Sequence, residues 1–185
     1  MISAGSSEDR ARLSPYLISG EKLKWVGRPA QGIAFTTIDI FLIPFGLFWC
    51  GFIAVWISMA LQSDPTFALF GAPFVIAGFF ILIGRFLIDA WIRSKMLYAV
   101  TDQRALVLKS AIGNSLTAHE LSAGQAVNLN TNDGKKGTIT FGDTGLSGLF
   151  SRMNLGAIYL SSSEANKFFG IDNVSEVYKL VYASK

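Results

Sequence analysis

Two long runs without a charged side chain occupy the middle of this sequence. No Asp, Glu, Lys or Arg occurs from residue 40 to residue 63 or from residue 65 to residue 84, and only Asp64 separates the runs. A helix of about 20 apolar residues crosses the hydrocarbon core of a bilayer. The pattern therefore predicts two transmembrane helices, residues 37–61 and 66–91, joined by a tight polar turn.

The composition narrows the class of protein further. Hydrophobic residues make up 51% of the chain and charged residues only 16%, whereas soluble domains carry roughly 25% charged residues. A single cysteine cannot form a disulfide within the chain, and one cysteine with one histidine cannot build a zinc site from those residues alone. The net charge of +3 is too small and dispersed for nucleic-acid binding. We expect no catalytic, cofactor or metal site.

The distribution of basic residues predicts the orientation of the hairpin. Basic residues flank it on both sides and are absent from the turn: Arg10, Arg12, Lys22, Lys24 and Arg28 before it, and Arg93, Lys95, Arg104 and Lys109 after it. Basic flanks stay on the cytoplasmic side of membranes. We therefore expect a cytoplasmic N-terminal segment (1–36), a transmembrane hairpin (37–92) and a cytoplasmic domain (93–185), with both termini cytoplasmic.

Several polar and aromatic residues near the ends of the hairpin suit the membrane interface. The predicted interface anchors are Trp25, Arg28, Asp39, Arg85, Asp89, Trp91 and Arg93. Counted from the turn, Asp39 lies at about the depth of Arg85, so a contact between them is possible. Such charges can serve a proton or ion relay, or they can act as anchors. The second interpretation is favoured because almost no polar side chain continues the path across the membrane.

After residue 95 the sequence pattern changes to short alternating segments. The predicted strands are residues 96–101, 104–109, 114–121, 126–131 and 137–142, with 157–160 and 167–171 as further candidates. A helix should follow from residue 173 to residue 181, with Asn173 as its cap, Glu176 completing a capping box, and Val174, Val177, Tyr178 and Val181 on one apolar face. The pattern predicts a small antiparallel sandwich or barrel covered by this helix.

Several short motifs follow one another in a particular order along the chain. They are Gly20-Glu21-Lys22 with Trp25, Gly27, Arg28 and Pro29; Tyr98 with Thr101 to Arg104; the run Gly137 to Gly142; and Phe168 to Ile171 before Val177-Tyr178. From about residue 19 onward this order resembles the bacterial pleckstrin-homology-like (PH-like) domains attached to short transmembrane hairpins. The resemblance implies an α+β protein of the bacterial inner membrane, with a bent seven-stranded barrel capped by one helix. Residues 143–154 do not align.

Two groups of residues in the second half are candidates for binding lipid or a partner. The basic group comprises Arg104, Lys109, Lys135 and Lys136, and each lysine or arginine near anionic head groups contributes about 1 kcal/mol. The other group is a helical stripe with Arg152 alongside: Leu146, Leu149, Phe150 and Met153. This stripe can insert at the bilayer surface, dock a partner, or pack over the open end of the barrel.

These observations together predict a non-catalytic function. We expect an integral inner-membrane protein that displays a cytoplasmic PH-like domain as a binding or assembly module. Its partners would be membrane lipids and a protein partner or a second copy of the chain. The alternatives are an accessory subunit of a larger membrane complex and, less favoured, a small transporter or channel, which would need polar residues along a path through the helices.

Overall fold

The computed structural model describes residues 5–36, 38–111, 113–122, 125–131, 133–142 and 166–184. The chain begins with an N-terminal helix (Ser7–Leu13), a 3₁₀ turn (Ser14–Tyr16) and strand β1 (Leu23–Gly27). Two apolar helices follow, Asp39–Ser63 and Pro65–Ser94. The remaining elements are β2 (Met96–Thr101), β3 (Arg104–Lys109), β4 (Ser115–Glu120), β5 (Val127–Thr131), β6 (Lys136–Phe141), β7 (Lys167–Asp172) and a C-terminal helix (Val174–Tyr182).

The hairpin predicted from the apolar runs is present as two long helices. The first ends at Ser63 because Pro65 disfavours the helical conformation in the preceding residue, and Asp64 is extended there. The Asp64 carboxylate then caps the second helix by accepting a 2.8 Å hydrogen bond from the Thr66 amide. The second helix contains one π-helical turn (Phe80–Gly84). The first helix begins and ends two residues later than predicted. The second helix begins one residue earlier and ends three residues later than predicted.

The strands form two separate antiparallel sheets. The first sheet has the order β1-β2-β3-β4 and the second has the order β5-β6-β7. The predicted strands from residue 96 to residue 142 and the strand near residue 167 are confirmed within one or two residues. Of the predicted sandwich or barrel, the barrel is wrong for the described strands, because no ladder of hydrogen bonds joins β4 to β5. The candidate strand 157–160 lies outside the described residues.

Strand β1 changes the predicted division of the chain into domains. It pairs antiparallel with β2, which follows the hairpin, and Val26 lies opposite Ala99. The segment before the hairpin is therefore part of the β domain, and the prediction of a separate N-terminal segment is corrected. Trp25, predicted at the membrane interface, is instead 4% exposed and packs against Phe168 in the core of that domain. The hairpin is an insertion between the first two strands of one sheet.

Two apolar clusters hold the β domain together. The larger lies between the sheets and the C-terminal helix, and its members include Tyr98, Val107, Ile139, Phe141, Phe168, Val174, Val177 and Val181. The predicted apolar face of that helix is thus confirmed. The smaller cluster lies on the other face of the first sheet, where Leu13 of the N-terminal helix covers Leu97, Ala99, Leu106 and Leu108. The first sheet is consequently buried on both faces.

The start of the C-terminal helix differs from the predicted capping box. Asn173 adopts a left-handed conformation with φ of 52°, and its side chain accepts no capping hydrogen bond. A capping side chain requires an extended backbone at that position. The amides of Glu176 and Val177 bond to the Asn173 carbonyl instead, at 3.0 and 3.2 Å.

Candidate functional site

The two apolar helices contact each other along a seam of residues spaced by seven. In the first helix the buried residues are Asp39, Gly46, Ile53 and Ala60. In the second they include Gly71, Gly78 and Arg85. A spacing of seven keeps one side of each helix turned toward its partner, as in left-handed helix pairs. A narrow stripe therefore holds the hairpin together.

Glycines allow the helices to approach closely along this seam. A Cβ atom added to Gly78 would lie 2.7 Å from the Sγ atom of Cys50, and Gly46 is enclosed by the second helix in the same way. The indole nitrogen of Trp49 donates a 3.0 Å hydrogen bond to the carbonyl of Phe74 across the hairpin. Small residues and polar contacts of this kind are typical of helices that pack in lipid.

Large apolar side chains outside the seam face outward along both helices. Six of them are exposed by 57% to 71%: Phe48, Phe52, Val55, Phe70, Ile76 and Phe79. Only 11% of the most apolar 18-residue window of each helix is buried within the protein. A core helix of a soluble protein would be mostly buried, so these helices do not form a core.

Asp39 and Arg85 form a buried ion pair where the hairpin meets the β domain. Each side chain is 5% exposed, and the carboxylate Oδ1 and guanidinium Nη2 atoms have no hydrogen-bond partner apart from this contact in the described part of the chain. Arg85 also donates from Nε to the carbonyl of Ile81 at 2.8 Å, within the π-helical turn. The contact that the sequence made possible is confirmed. It joins the two helices at one end.

Arg93, in the last turn of the second helix, has no exposed surface. Its Nε atom donates to the carboxylate of Asp89 at 2.8 Å, and its two Nη groups donate to the carbonyls of Ala30 and Gly32. These carbonyls belong to the connecting segment, residues 28–38, between β1 and the first apolar helix. We call Asp39, Arg85, Asp89 and Arg93 the junction cluster.

The junction cluster corrects the expectation that its members are membrane-interface anchors. Their charged groups are directed into the protein, where they bind one another and the backbone, rather than toward lipid head groups. Removing one partner of a buried ion pair typically costs about 3–5 kcal/mol, because the other charge is left without compensation. Trp91 is 49% exposed in the same turn as Arg93, and its role as an anchor stays a prediction.

The connecting segment is also bound to the second sheet. The Ala30 amide donates a 3.2 Å hydrogen bond to the carbonyl of Phe169 in β7. Next to it, the Gln31 side chain donates to the carbonyl of Arg93 at 3.4 Å. Gly170 has a φ of +59°, and a Cβ atom there would lie 2.6 Å from the Ala30 Cβ. The connecting segment therefore contacts the second apolar helix on one side and β7 on the other.

Arg104 takes part in a second buried ion pair, at the other end of the first sheet. Its Nε and Nη2 atoms donate to the Glu21 carboxylate at 2.8 and 2.9 Å, and the Glu21 side chain is fully buried. The Ile18 amide and the Thr101 hydroxyl donate to the same carboxylate at 2.8 and 2.7 Å. The hydrogen bonds from Arg104, outweighing desolvation, lower the pKa of Glu21 to about 2.

This geometry corrects the expectation that Arg104 binds lipid head groups. Two of its guanidinium nitrogens are already bound to Glu21. It also begins β3 at the end opposite to Lys109, about 17 Å away at the usual strand rise. Lys109 lies opposite Met96, the residue after Lys95, at the end of the sheet that adjoins the hairpin. Of these two basic residues, Lys109 is the one close to the predicted membrane surface.

A cleft of about 500 Å³ opens beside the connecting segment, between the N-terminal helix and the end of β7. Its charged and amide side chains are Asp9, Arg28, Gln31, Lys136, Asp172 and Asn173. Arg28 donates to both Asp9 oxygens, at 3.2 and 2.7 Å, and its hydrogen bonds lower the pKa of Asp9. Lys136 lies 3.4 Å from Asp172, and both side chains are largely exposed. The charges at this cleft are thus compensated in pairs.

The remaining candidate residues fall into two groups. Lys135, in the turn before β6, and Lys136, the first residue of β6, are exposed, and Lys136 is at the edge of the cleft. The helical stripe lies outside the described residues: Leu146, Leu149, Phe150, Arg152 and Met153. In the described ranges, no three His, Cys, Asp or Glu side chains are grouped so that they could hold a metal ion.

Sequence reasoning missed most of the contacts that build the junction and the cleft. Glu21 and Arg104 are 83 residues apart, and Gln31 and Arg93 are 62 residues apart, so no local pattern connects them. The helix seam did have a sequence signal, because Gly71 and Gly78 are seven residues apart and Gly46 and Ala60 are fourteen apart. A search for glycines four residues apart does not find it.

Comparison of the chain with protein-family models, with curated proteins and with solved structures gives no match. The resemblance to PH-like domains consequently depends on the short motifs alone. The geometry of the hairpin, the junction cluster and the cleft is the basis for the function proposed below.

Proposed function

We propose that this protein is a non-catalytic binding or assembly module, whose two helices hold a PH-like β domain at the cytoplasmic face of the bacterial inner membrane. The observation that carries the proposal is the exposure of apolar side chains all around the hairpin, outside its narrow seam. Helices of 25 and 30 residues are about 37 and 45 Å long, which exceeds the roughly 30 Å of a bilayer core. Lipid is the solvent in which such a surface is stable.

The charges support one orientation of this hairpin. The junction cluster and all the flanking basic residues lie at the end that carries the β domain, whereas the turn at Asp64 has no basic residue. An excess of Lys and Arg marks the cytoplasmic side. The β domain and both chain ends are therefore assigned to the cytoplasm.

Cysteine labelling tests the insertion and the orientation together. Single cysteines would be placed at Ser63, in the turn, and at Lys135, in the β domain, after Cys50→Ser removes the native thiol. In spheroplasts, a membrane-impermeant maleimide should label position 63 directly and position 135 only after permeabilisation. Labelling in the reverse order would refute the orientation. Release of the protein from membranes by alkaline carbonate would refute the insertion.

Within the described part of the β domain, we propose the cleft as the site of recognition. It is open, it presents paired charges at its edge, and the connecting segment that forms one wall leads directly to the hairpin. A bound protein segment would therefore lie close to the membrane surface.

Site-specific photocrosslinking in native membranes tests recognition at the cleft. A photoreactive side chain at Lys136, on the edge of the cleft, is compared with one at Gln103, exposed at the far end of the first sheet. We expect a defined adduct from position 136 that position 103 does not give. Identical products from both positions, or none from position 136, would refute the cleft as the recognition site.

A further inference from the structure

We infer that the junction cluster locks the β domain in a single orientation on the hairpin, so that the domain and the two helices move as one body. The inference rests on the proposed function only in placing the hairpin in a bilayer. It concerns how the domain is held, which neither the motifs nor the apolar runs address. Three connections carry it.

The first connection is the direct passage from the second helix into the first sheet. A single residue, Lys95, separates Ser94 at the helix end from Met96 at the start of β2. The Lys95 amide donates to the carbonyl of Ile92 at 2.9 Å, and its carbonyl accepts a 3.1 Å hydrogen bond from the Ser110 amide. The linking residue is thus held by the helix on one side and by the sheet on the other.

The second connection is made by the longer connecting segment. By length alone, residues 28–38 could act as a flexible tether. Arg93 prevents this by binding the carbonyls of Ala30 and Gly32, and the Ala30 amide is bonded to Phe169 in β7. The end of the second helix is therefore fastened to the second sheet as well as to the first.

The third connection joins the helices to each other. The Asp39–Arg85 pair lies at the same end of the hairpin as Arg93, so a tilt of the first helix is transmitted to the second. Rotation of the domain relative to the hairpin would separate the buried Arg93 guanidinium from the carbonyls of Ala30 and Gly32, which a low-dielectric environment penalises strongly. One face of the β domain, including Lys95 and the end of β3, is consequently held toward the membrane at all times.

Distance measurements between two spin labels test the lock in the full-length chain. In the Cys50→Ser background, labels at Ser63 and Lys135 report on the turn of the hairpin and on the second sheet. We expect one narrow distance distribution, the same in lipid nanodiscs and in mild detergent. Arg93→Gln should give a distribution of roughly doubled width, because Gln cannot reach Asp89 and two carbonyls together. Lys95→Gln, which removes an exposed cation two residues away, should leave it narrow.

Each result of this measurement either supports or refutes the inference. A broad distribution in the folded wild-type chain would overturn it, as would an unchanged narrow distribution in a folded Arg93→Gln variant. If Arg93→Gln fails to fold, the Gln31→Ala variant tests the inference instead. The Gln31 side chain is exposed, and among the described contacts it donates only to the carbonyls of Pro29 and Arg93. This variant should broaden the distribution to a smaller extent, and no broadening would count against the lock. The detergent measurement does not need a bilayer, so failure of membrane insertion is recognised separately, by flotation with liposomes.

Discussion

The buried Glu21–Arg104 pair permits a quantitative prediction for the substitution Glu21→Gln. Its pKa of about 2, against an ordinary value of 4.5, corresponds to 2.5 pKa units. At about 1.4 kcal/mol per unit of pKa, the carboxylate contributes on the order of 3 kcal/mol to folding at neutral pH. Gln retains the shape but removes the charge, so the β domain should lose about 3 kcal/mol of unfolding free energy at pH 7.

The lowered pKa of Glu21 also predicts how the effect of Glu21→Gln on the unfolding free energy changes with pH. A lowered pKa stabilises the folded state above about pH 4.5, and the stabilisation is lost as the pH falls toward 2. The difference between wild type and Glu21→Gln should therefore shrink to less than about half of its pH 7 value at pH 3. Urea unfolding in mild detergent, followed by tryptophan fluorescence because Trp25 lies in the β domain core, measures this difference. Glu8→Gln, at an exposed carboxylate of the N-terminal helix, is the matched control. An effect of Glu21→Gln no larger than that of the control, or one independent of pH, would refute the reasoning.

Three further predictions concern the hairpin and the assembly of the β domain. Gly78→Leu should push the helices apart at Cys50 and cost about 1–3 kcal/mol of hairpin stability in detergent, and an unchanged thermal unfolding curve would contradict the seam. Asp9→Asn should remove an ion pair with the half-exposed Arg28, cost about 0.5–1 kcal/mol at pH 7 and less below pH 4, and speed amide exchange in the N-terminal helix. Wild-type exchange rates in that variant would count against the pair. The fragment 94–185 should remain unfolded by circular dichroism, because it lacks β1, and a cooperative unfolding transition of that fragment would contradict this account.

The insertion of the hairpin between β1 and β2 was not predictable from local sequence. Leu23–Gly27 is only five residues long and precedes the hairpin, so it appeared to belong to an independent segment. Its partner strand, Met96–Thr101, lies about 70 residues later along the chain. Hydrogen bonding between strands depends on their position in space, and a pattern of alternating side chains does not specify the partner. Trp25 was misplaced for the same reason.

The charged residues near the end of the hairpin illustrate a second limit of the sequence. An arginine can bind lipid head groups or form a buried ion pair with a carboxylate. The sequence alone does not distinguish these two arrangements. Counting residues from the turn brought Asp39 and Arg85 to one depth, because both helices rise by the same distance per residue. Besides Asp89, Arg93 binds two backbone carbonyls of the connecting segment, Ala30 and Gly32, which no spacing rule locates.

The sequence by itself determined the two long helices, the turn at Asp64, most of the strands after residue 95 and the apolar face of the C-terminal helix. These features follow from local hydrophobicity and its periodicity, which act over a few residues. Tertiary structure alone decided that β1 completes the first sheet, that the strands form two separate sheets, and that Arg93 and Arg104 bind inside the protein rather than at the membrane surface. Strand pairing and the partners of buried charges depend on residues that are far apart in the sequence and meet only in the folded protein. A buried charge is stable only where the fold brings an opposite charge or a hydrogen-bonding group to it.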